Sequence, residues 1–270
     1  SMIQPFREEK NGSSKDLDGF RIEVNPDEVR GDIILHRPPL NIIKMSQREQ
    51  MSAAFSSLDQ DERVRVIVLR GEGEHFSSGG EIKGFLESSP EHVSRLAENV
   101  MAPERCKKPV VAAIHGYCFG VGFEFCLACD FRIATESSLV GLPEQRLGMI
   151  PGSGGSVRLL HMVGLQRTKD IVMRTRRIPG RKAYDWGIVS ECVPDDSLGD
   201  AVASLVKELS QFSALAQRTS KDLLNMAQDA PLHVGIKLEG EAYGRLRSSR
   251  DFREGVESFQ AKRKPDFHGS

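Results

Sequence analysis

The chain has 270 residues with 39% hydrophobic side chains, enough to bury one large core together with a small appendage. Its 37 basic and 38 acidic side chains nearly cancel, so the chain has no bulk attraction for nucleic acid or for an anionic membrane. No apolar run reaches the roughly 20 residues that cross a bilayer, and the polar N-terminal stretch lacks the apolar segment of a secretory signal. We therefore expect a soluble protein of the cytoplasm, or of the mitochondrial matrix if the source is eukaryotic.

The N-terminal third predicts a flexible lead-in followed by strands and a helix. Residues 1–18 are polar and are expected to be mobile. The segments GFRIEV and GDIILHR then predict two antiparallel strands joined by a turn that contains Pro-Asp. Ser46 and Glu49 match a capping box, and apolar residues recur after them at helical spacing, which predicts a helix.

The middle of the chain alternates strands, glycine turns and helices. The strand VRVIVL is followed by the turn FSSGGEIKGF, and Ser89 with Pro90 predicts the start of a helix. The strands CKKPVVAAIHG, FRIAT and IVSECVP follow in the same manner. This α/β alternation places glycine-rich and serine-rich loops at one edge of a sheet, where ligands bind in such folds. Residues 198–270 contain successive helical patterns and are expected to form a separate C-terminal region.

The five cysteines do not suit a disulfide framework, since disulfide-rich chains are small and carry even numbers of cysteines. Cys126 and Cys129 form a CxxC pair, but a structural zinc site needs four ligands, and no second pair is present. We therefore expect reduced, buried thiols and no metal site. His115, beside a glycine turn, is expected to be structural.

Two glutamates lie in glycine-rich segments. Glu124 follows a glycine turn in HGYCFGVGFEF, and Glu144 follows a proline in LVGLPEQRLGMIPGSGG. A glycine turn that leads into a helix exposes backbone N–H groups, which stabilise negative charge on a ligand oxygen. Carboxylates beside such amides are suited to proton transfer. The pattern indicates acid–base chemistry. The alternative interpretation is that both residues are ordinary surface glutamates without a catalytic role.

Four segments resemble the crotonase, or enoyl-CoA hydratase/isomerase, superfamily from about Phe20 to Phe267: GYCFGVGFEFCLACDFRIAT, LPEQRLGMIPGSGGSVRLL, RKAYDWGIVSECVP and FREGVESFQAKRKPDF. The resemblance implies an α/β crotonase-type spiral of ββα units over residues 19–197. It also implies that residues 198–270 are a helical trimerisation region, so that the protein is a homotrimer or a dimer of trimers. The implied substrate is a coenzyme A thioester, with no prosthetic group, nucleic acid or membrane as a partner.

The resemblance also assigns residues to roles. It implies an oxyanion hole formed by the backbone N–H groups of Gly80 and Val121, with Glu124 and Glu144 as the catalytic pair. The residues that it places near coenzyme A are Leu40, Ser78, Lys83, Tyr243 and Lys262. With both glutamates present, the implied reaction is hydration of an enoyl-CoA double bond.

Several positions depart from the family pattern. Val121 replaces a glycine, and a β-branched residue donates its amide there only if the backbone is already helical. Ser77 and Ser78 replace alanines, so their hydroxyls contact the nucleotide or cap the turn. Glu81 replaces an aspartate and is expected to be a surface carboxylate, while Arg146 either steadies Glu144 or is a solvated charge.

Other functions remain open at this point. The same scaffold supports double-bond isomerases and other acyl-CoA reactions, because oxyanion binding is shared and the carboxylates vary. A relative that binds RNA or acts as a scaffold without turnover is disfavoured by the near-neutral charge and by the intact glutamates. A hydrolase with a serine triad is disfavoured because no GxSxG motif is present.

Overall fold

The computed structural model describes residues 7–9 and 12–270 of the chain. Its strands are β1 (Arg7–Glu9), β2 (Gly12–Leu17), β3 (Phe20–Asn25), β4 (Arg30–Leu35), β5 (Val66–Gly71), β6 (Val110–Ile114), β7 (Tyr117–Phe119), β8 (Phe131–Thr135), β9 (Leu139–Gly141), β10 (Ile178–Pro179) and β11 (Glu191–Val193). Its α-helices are α1 (Met45–Gln60), α2 (Ile82–Glu87), α3 (Pro90–Val93), α4 (Leu96–Val100), α5 (Ala102–Arg105), α6 (Val121–Leu127), α7 (Gly155–Val172), α8 (Gly180–Asp185), α9 (Leu198–Ser210), α10 (Ala214–Ala227), α11 (Leu232–Arg247) and α12 (Arg250–Gln260). Two 3₁₀ helices cover Pro143–Leu147 and Asp195–Ser197.

An eight-stranded sheet with the order β1-β2-β3-β4-β5-β6-β8-β11 forms the centre of the fold. Strands β1 to β4 pair antiparallel, and β4, β5, β6, β8 and β11 pair parallel. A second sheet has the order β10-β9-β7, and its β7 and β9 are parallel. The predicted mixed α/β fold with a helical C-terminal region is confirmed.

The central sheet is covered on both faces, which explains its continuous apolar runs. Along β5, Ile67 and Leu69 point into the larger core with α1, whereas Val66 and Val68 point into a second cluster. That second cluster includes Val202, Leu205, Val206 and Leu209 of α9. Helix α9 therefore packs on the sheet as part of the core, although the sequence assigned it to the separate C-terminal region.

The lead-in prediction is wrong for residues 12–17, which form β2 and pair antiparallel with β3. The partner strand supplies the backbone hydrogen bonds, so a polar segment becomes ordered without an apolar pattern of its own. The rest of the predicted lead-in includes residues 1–6, 10 and 11, which lie outside the described residues.

The predicted capping box is also wrong, because α1 begins at Met45 and its N-cap is Lys44, with no side-chain cap. The Ile43 N–H donates to Gly79 O (2.9 Å) and the Glu81 N–H donates to Ile43 O (3.0 Å), which fixes the chain just before the helix. A tertiary contact therefore sets the helix start ahead of Ser46. The predicted cap at Ser89 is confirmed, since its side chain accepts from the His92 N–H.

Candidate active site

Two backbone segments run side by side at the edge of the core: residues 77–80 and residues 117–121. The Ser77 N–H donates to Tyr117 O (2.9 Å), and the Phe119 N–H donates to Ser77 O (3.0 Å). A Cβ added to Gly79 would lie 3.3 Å from Phe119 O. These contacts hold the first glycine turn (residues 77–80) against the second glycine turn (residues 117–121).

The N–H groups of Gly80 and Val121 have no hydrogen-bond acceptor among the described residues. Gly80 lies opposite Ile43 in a parallel β-bridge. Ile43 forms the two hydrogen bonds of this bridge with Gly79 O and with the Glu81 N–H, so the Gly80 N–H remains free. Val121 is the first residue of α6, where the N–H groups of the first turn lack partners within the helix. Both predicted donors are thus available to a ligand oxygen.

The substitution of valine for glycine at position 121 is tolerated because the unusual backbone conformation falls one residue earlier. Gly120 has φ 55° and ψ −132°, while Val121 already belongs to α6. A β-branched residue is therefore compatible with position 121, since only Gly120 adopts positive φ.

Glu124 is 3% exposed and lies on α6. Its Oε2 accepts hydrogen bonds from the backbone N–H groups of Ser153 (2.8 Å) and Gly155 (2.9 Å), at the start of α7. Burial raises the pKa of Glu124, while the two amides oppose that rise by stabilising the carboxylate. A Cβ at Gly155 would lie 3.0 Å from Glu124 Cγ, so a larger residue there would crowd the Glu124 side chain.

Glu144 lies on the 3₁₀ helix that follows β9, close to the second glycine turn. Its Oε1 is 3.3 Å from the position that a Cβ on Gly120 would occupy, and its Oε2 is buried without a hydrogen-bond partner. Burial and the nearby charge of Glu124 raise the pKa of Glu144 to about 7. The structure therefore places Glu144 against Gly120, the residue that precedes the Val121 amide, and places Glu124 on the helix that Val121 begins.

Sequence reasoning missed Arg48, which is only 3% exposed. Its Nη1 donates to Ser153 Oγ at 3.4 Å, and its guanidinium lies over the Phe85 ring, 5.4 Å from the centroid. The available signal was its place on α1, where Arg48, Met51 and Phe55 share the buried face at helical spacing. A charged residue in an apolar stripe is an indication of function.

The residues predicted to bind coenzyme A fall into two groups. The Ser78 N–H donates to Leu40 O (2.8 Å) beside the first glycine turn, and Lys83 is exposed on α2, which begins two residues after Gly80. Tyr243 on α11 and Lys262 after α12 are exposed and form no side-chain hydrogen bond or ion pair with the glycine turns in the described part of the chain. Their predicted contacts with coenzyme A remain predictions.

Other polar residues near the site have structural contacts. The buried Ser77 hydroxyl donates to Asn41 O (2.8 Å) and accepts from the Gly79 N–H (3.1 Å), so it caps the turn. Arg146 is exposed and donates to Thr175 Oγ1 (3.2 Å), away from Glu144. His115 contacts Gly73 O (2.7 Å).

All five cysteines are free thiols, and burial raises the pKa of the Cys126 and Cys129 thiols. Within residues 12–270, no cluster of three or more His, Cys, Asp or Glu side chains suits a metal ion. None of the described helices combines the length and apolar character that crossing a bilayer requires.

Comparison with known proteins identifies the family to which this fold and site belong. A family model described as enoyl-CoA hydratase/isomerase matches residues 30–270. The chain belongs to this family, the crotonase superfamily. It is 33% identical over 256 residues to a probable enoyl-CoA hydratase of Bacillus subtilis, covering 92% of this chain and 98% of the relative.

Other relatives show the range of the family. A carnitinyl-CoA dehydratase of Salmonella arizonae is 33% identical over 250 residues, covering 88% of this chain and 94% of the relative. The crystal structure of an enoyl-CoA hydratase from Bacillus anthracis superposes with a TM-score of 0.84 at 30% identity, covering 97% of this chain and all of that one. The predicted crotonase fold is confirmed, and an acyl-CoA thioester is the substrate class that the family implies.

Proposed function

We propose that this protein is an enoyl-CoA hydratase, which adds water across the α,β double bond of an enoyl-CoA thioester. The observation that supports the proposal is that Glu124 shares helix α6 with the free Val121 amide and that Glu144 lies against Gly120, the residue before that amide. Both acids are largely buried, and the pKa of Glu144 is about 7, near the pH at which proton transfer is most efficient.

The Gly80 and Val121 amides bind the thioester oxygen in this mechanism. That oxygen becomes negative when water attacks the β-carbon and an enolate forms. Fixed donors stabilise such charge, and each contributes about 3–4 kcal/mol by analogy with other oxyanion holes. The two amides together therefore lower the barrier by more than either glutamate alone.

The two glutamates divide the proton transfers. Two amides hold Glu124 Oε2 and favour its carboxylate form, so Glu124 takes a proton from water as the water oxygen bonds to the β-carbon. Glu144 is half protonated near pH 7 and gives its proton to the α-carbon of the enolate. The product is a 3-hydroxyacyl thioester, and exchange with solvent restores both acids.

In this mechanism coenzyme A enters as part of the substrate, because it carries the acyl group, and no prosthetic group takes part. Lys83 and Lys262 offer positive charge to its phosphates, Tyr243 offers a ring to its adenine, and Leu40 and Ser78 line the approach to the oxyanion site. These roles are part of the proposal.

Substitution of either glutamate by glutamine tests the proposal. Glu124→Gln and Glu144→Gln each remove a proton-transfer group without changing side-chain size, so kcat is expected to fall by about 10² to 10⁴. Binding of a saturated acyl-CoA is expected to persist, because the amides remain. Glu81→Gln is the matched control, since Glu81 is the N-cap residue of α2 and its side chain makes no capping hydrogen bond there.

The reaction type is tested in water enriched in deuterium and ¹⁸O with a panel of straight, branched and cyclic enoyl-CoA thioesters. Hydration predicts a product with one ¹⁸O and one deuterium at the α-carbon. Deuterium without ¹⁸O, together with a shifted double bond, would identify an isomerase and reject the hydratase proposal.

A further inference from the structure

Arg48 is a buried cation that the proposed mechanism does not use. It lies on α1 at 3% exposure, with the Phe85 ring against its guanidinium. A guanidinium carries five N–H donors, yet among the described residues it donates only to Ser153 Oγ, at 3.4 Å. Arg48 Nε is buried with no acceptor among the described residues.

The guanidinium also lacks an ion-pair partner. No carboxylate of the described chain lies within 4.0 Å of Arg48. Glu124 and Glu144 lie near enough for their charges to oppose the lowering of the Arg48 pKa by burial, but neither forms a hydrogen bond with it. Burying an unpaired cation is costly, and proteins pair such charges or place them where a ligand does so.

The free donors lie beside the proposed thioester site. Arg48 Nη2 is 3.0 Å from the position that a Cβ on Gly80 would occupy, and Phe85 Cε2 is 3.4 Å from the same point. Ser153, which accepts from Arg48, donates its backbone N–H to Glu124. Arg48 thus lies between the first amide donor and the segment that holds a catalytic carboxylate, within reach of an acyl group whose carbonyl oxygen is bound at Gly80.

We propose that Arg48 binds a carboxylate on the acyl chain of the substrate, so that this protein acts on acyl-CoA thioesters of dicarboxylic acids. A guanidinium pairs with a carboxylate through charge-assisted hydrogen bonds, and Arg48 Nη2, the nitrogen that lies toward Gly80, has no acceptor among the described residues. The inference rests on the proposed function, because it takes the thioester carbonyl to lie at Gly80.

Binding of saturated thioesters tests the inference without turnover. Dissociation constants are measured by calorimetry for pairs of equal chain length: succinyl- and butyryl-CoA, glutaryl- and pentanoyl-CoA, and adipoyl- and hexanoyl-CoA. Hydrogen bonds between charged groups predict that the wild-type protein binds one dicarboxylic member roughly 10-fold to 100-fold tighter than its partner. Equal binding within every pair would overturn the inference, whether or not the protein hydrates enoyl-CoA.

Two variants locate the effect at Arg48. Arg48→Met keeps much of the side-chain bulk and is expected to remove the preference while leaving the monocarboxylic thioesters bound as before. Arg48→Lys keeps the charge but loses the guanidinium, and is expected to retain part of the preference. Arg146→Met is the matched control, since this exposed arginine donates to Thr175 and should leave the preference intact. If Arg48→Met weakens both members of a pair equally, the residue acts on the common thioester and the inference fails.

Discussion

At the scale of single residues, the site holds two acids in different surroundings. Glu124 accepts two backbone hydrogen bonds, whereas Glu144 has one buried oxygen without a partner and faces the charge of Glu124. Burial raises the pKa of both acids; two backbone amides of another segment oppose the rise for Glu124, whereas for Glu144 the backbone amide that opposes it is its own and the charge of Glu124 adds to the rise. The difference in hydrogen bonding is the physical basis for giving them different roles.

The raised pKa of Glu144 predicts that the site lowers the stability of the fold above neutral pH. With a folded pKa of about 7 and an ordinary value of 4.5, the folded chain binds more protons than the unfolded chain between these values. The free energy of unfolding therefore falls as pH rises through that window, by on the order of 1–3 kcal/mol from this residue. Urea unfolding at pH 5 and pH 8 should show Glu144→Gln gaining stability at pH 8 and little at pH 5.

The control for this prediction is Glu81→Gln, which should change stability little at either pH. A Glu144→Gln protein that is less stable than wild type at pH 8 would contradict the prediction. It would show that the carboxylate makes a favourable contact that outweighs its burial.

At the scale of elements, α6 determines the position of the second amide and of Glu124 together. Its first residue is Val121, its fourth is Glu124, and every residue of the helix is buried. The helix approaches residues 76–77 so closely that a Cβ on Gly122 would lie 2.8 Å from Ser77 Cβ. This contact fixes the distance between the two glycine turns.

Gly122→Ala is therefore expected to displace α6 and to impair both stability and catalysis. Overpacking of this kind costs about 1–3 kcal/mol, and a shift of the Val121 amide should lower kcat. Thermal unfolding and hydration kinetics measure the two effects. Gly199→Ala, in α9 where a Cβ meets nothing within 4 Å, should be neutral or slightly stabilising, and equal behaviour of the two variants would refute this account of the packing.

At the scale of the whole molecule, a buried ion pair helps to tie the C-terminal helices to the core. Lys221 of α10 is 8% exposed, and its Nζ forms an ion pair with Asp130 (2.7 Å) and donates to the carbonyl oxygens of Pro103 and Lys108. Beyond this contact, the helical region exposes large apolar side chains. Leu224, Met226, Leu232, Tyr243 and Phe259 are each more than half exposed in the isolated chain.

We expect a trimer, or a pair of trimers, in which neighbouring chains cover this apolar surface. Exposed apolar residues on so thin a region favour association, since its helices bury few of their own side chains. Light scattering should give a mass of roughly 90 kDa, three times the 29.9 kDa of one chain, or twice that value. A monomer at micromolar concentration would contradict the expectation, and Leu224→Glu should weaken the assembly if it forms through this surface.

Local sequence patterns determined much of this protein. Apolar runs predicted the buried strands β5 and β6, because a strand covered on both faces needs no polar residues. The glycine turns and the glutamates that follow them predicted the site, because positive φ and free helix N-termini depend on residue type at neighbouring positions. The resemblance to a family then supplied the roles that we propose for Gly80, Val121, Glu124 and Glu144.

Only the tertiary structure decided the features that depend on distant parts of the chain. The pairing of Gly12–Leu17 with β3 and the start of α1 at Met45 follow from partners that local patterns do not reveal. The packing of α9 on the sheet and the free donors of Arg48 belong to the same class. Burial and charge act through space, so a residue's neighbours in the fold determine whether its charge is paired.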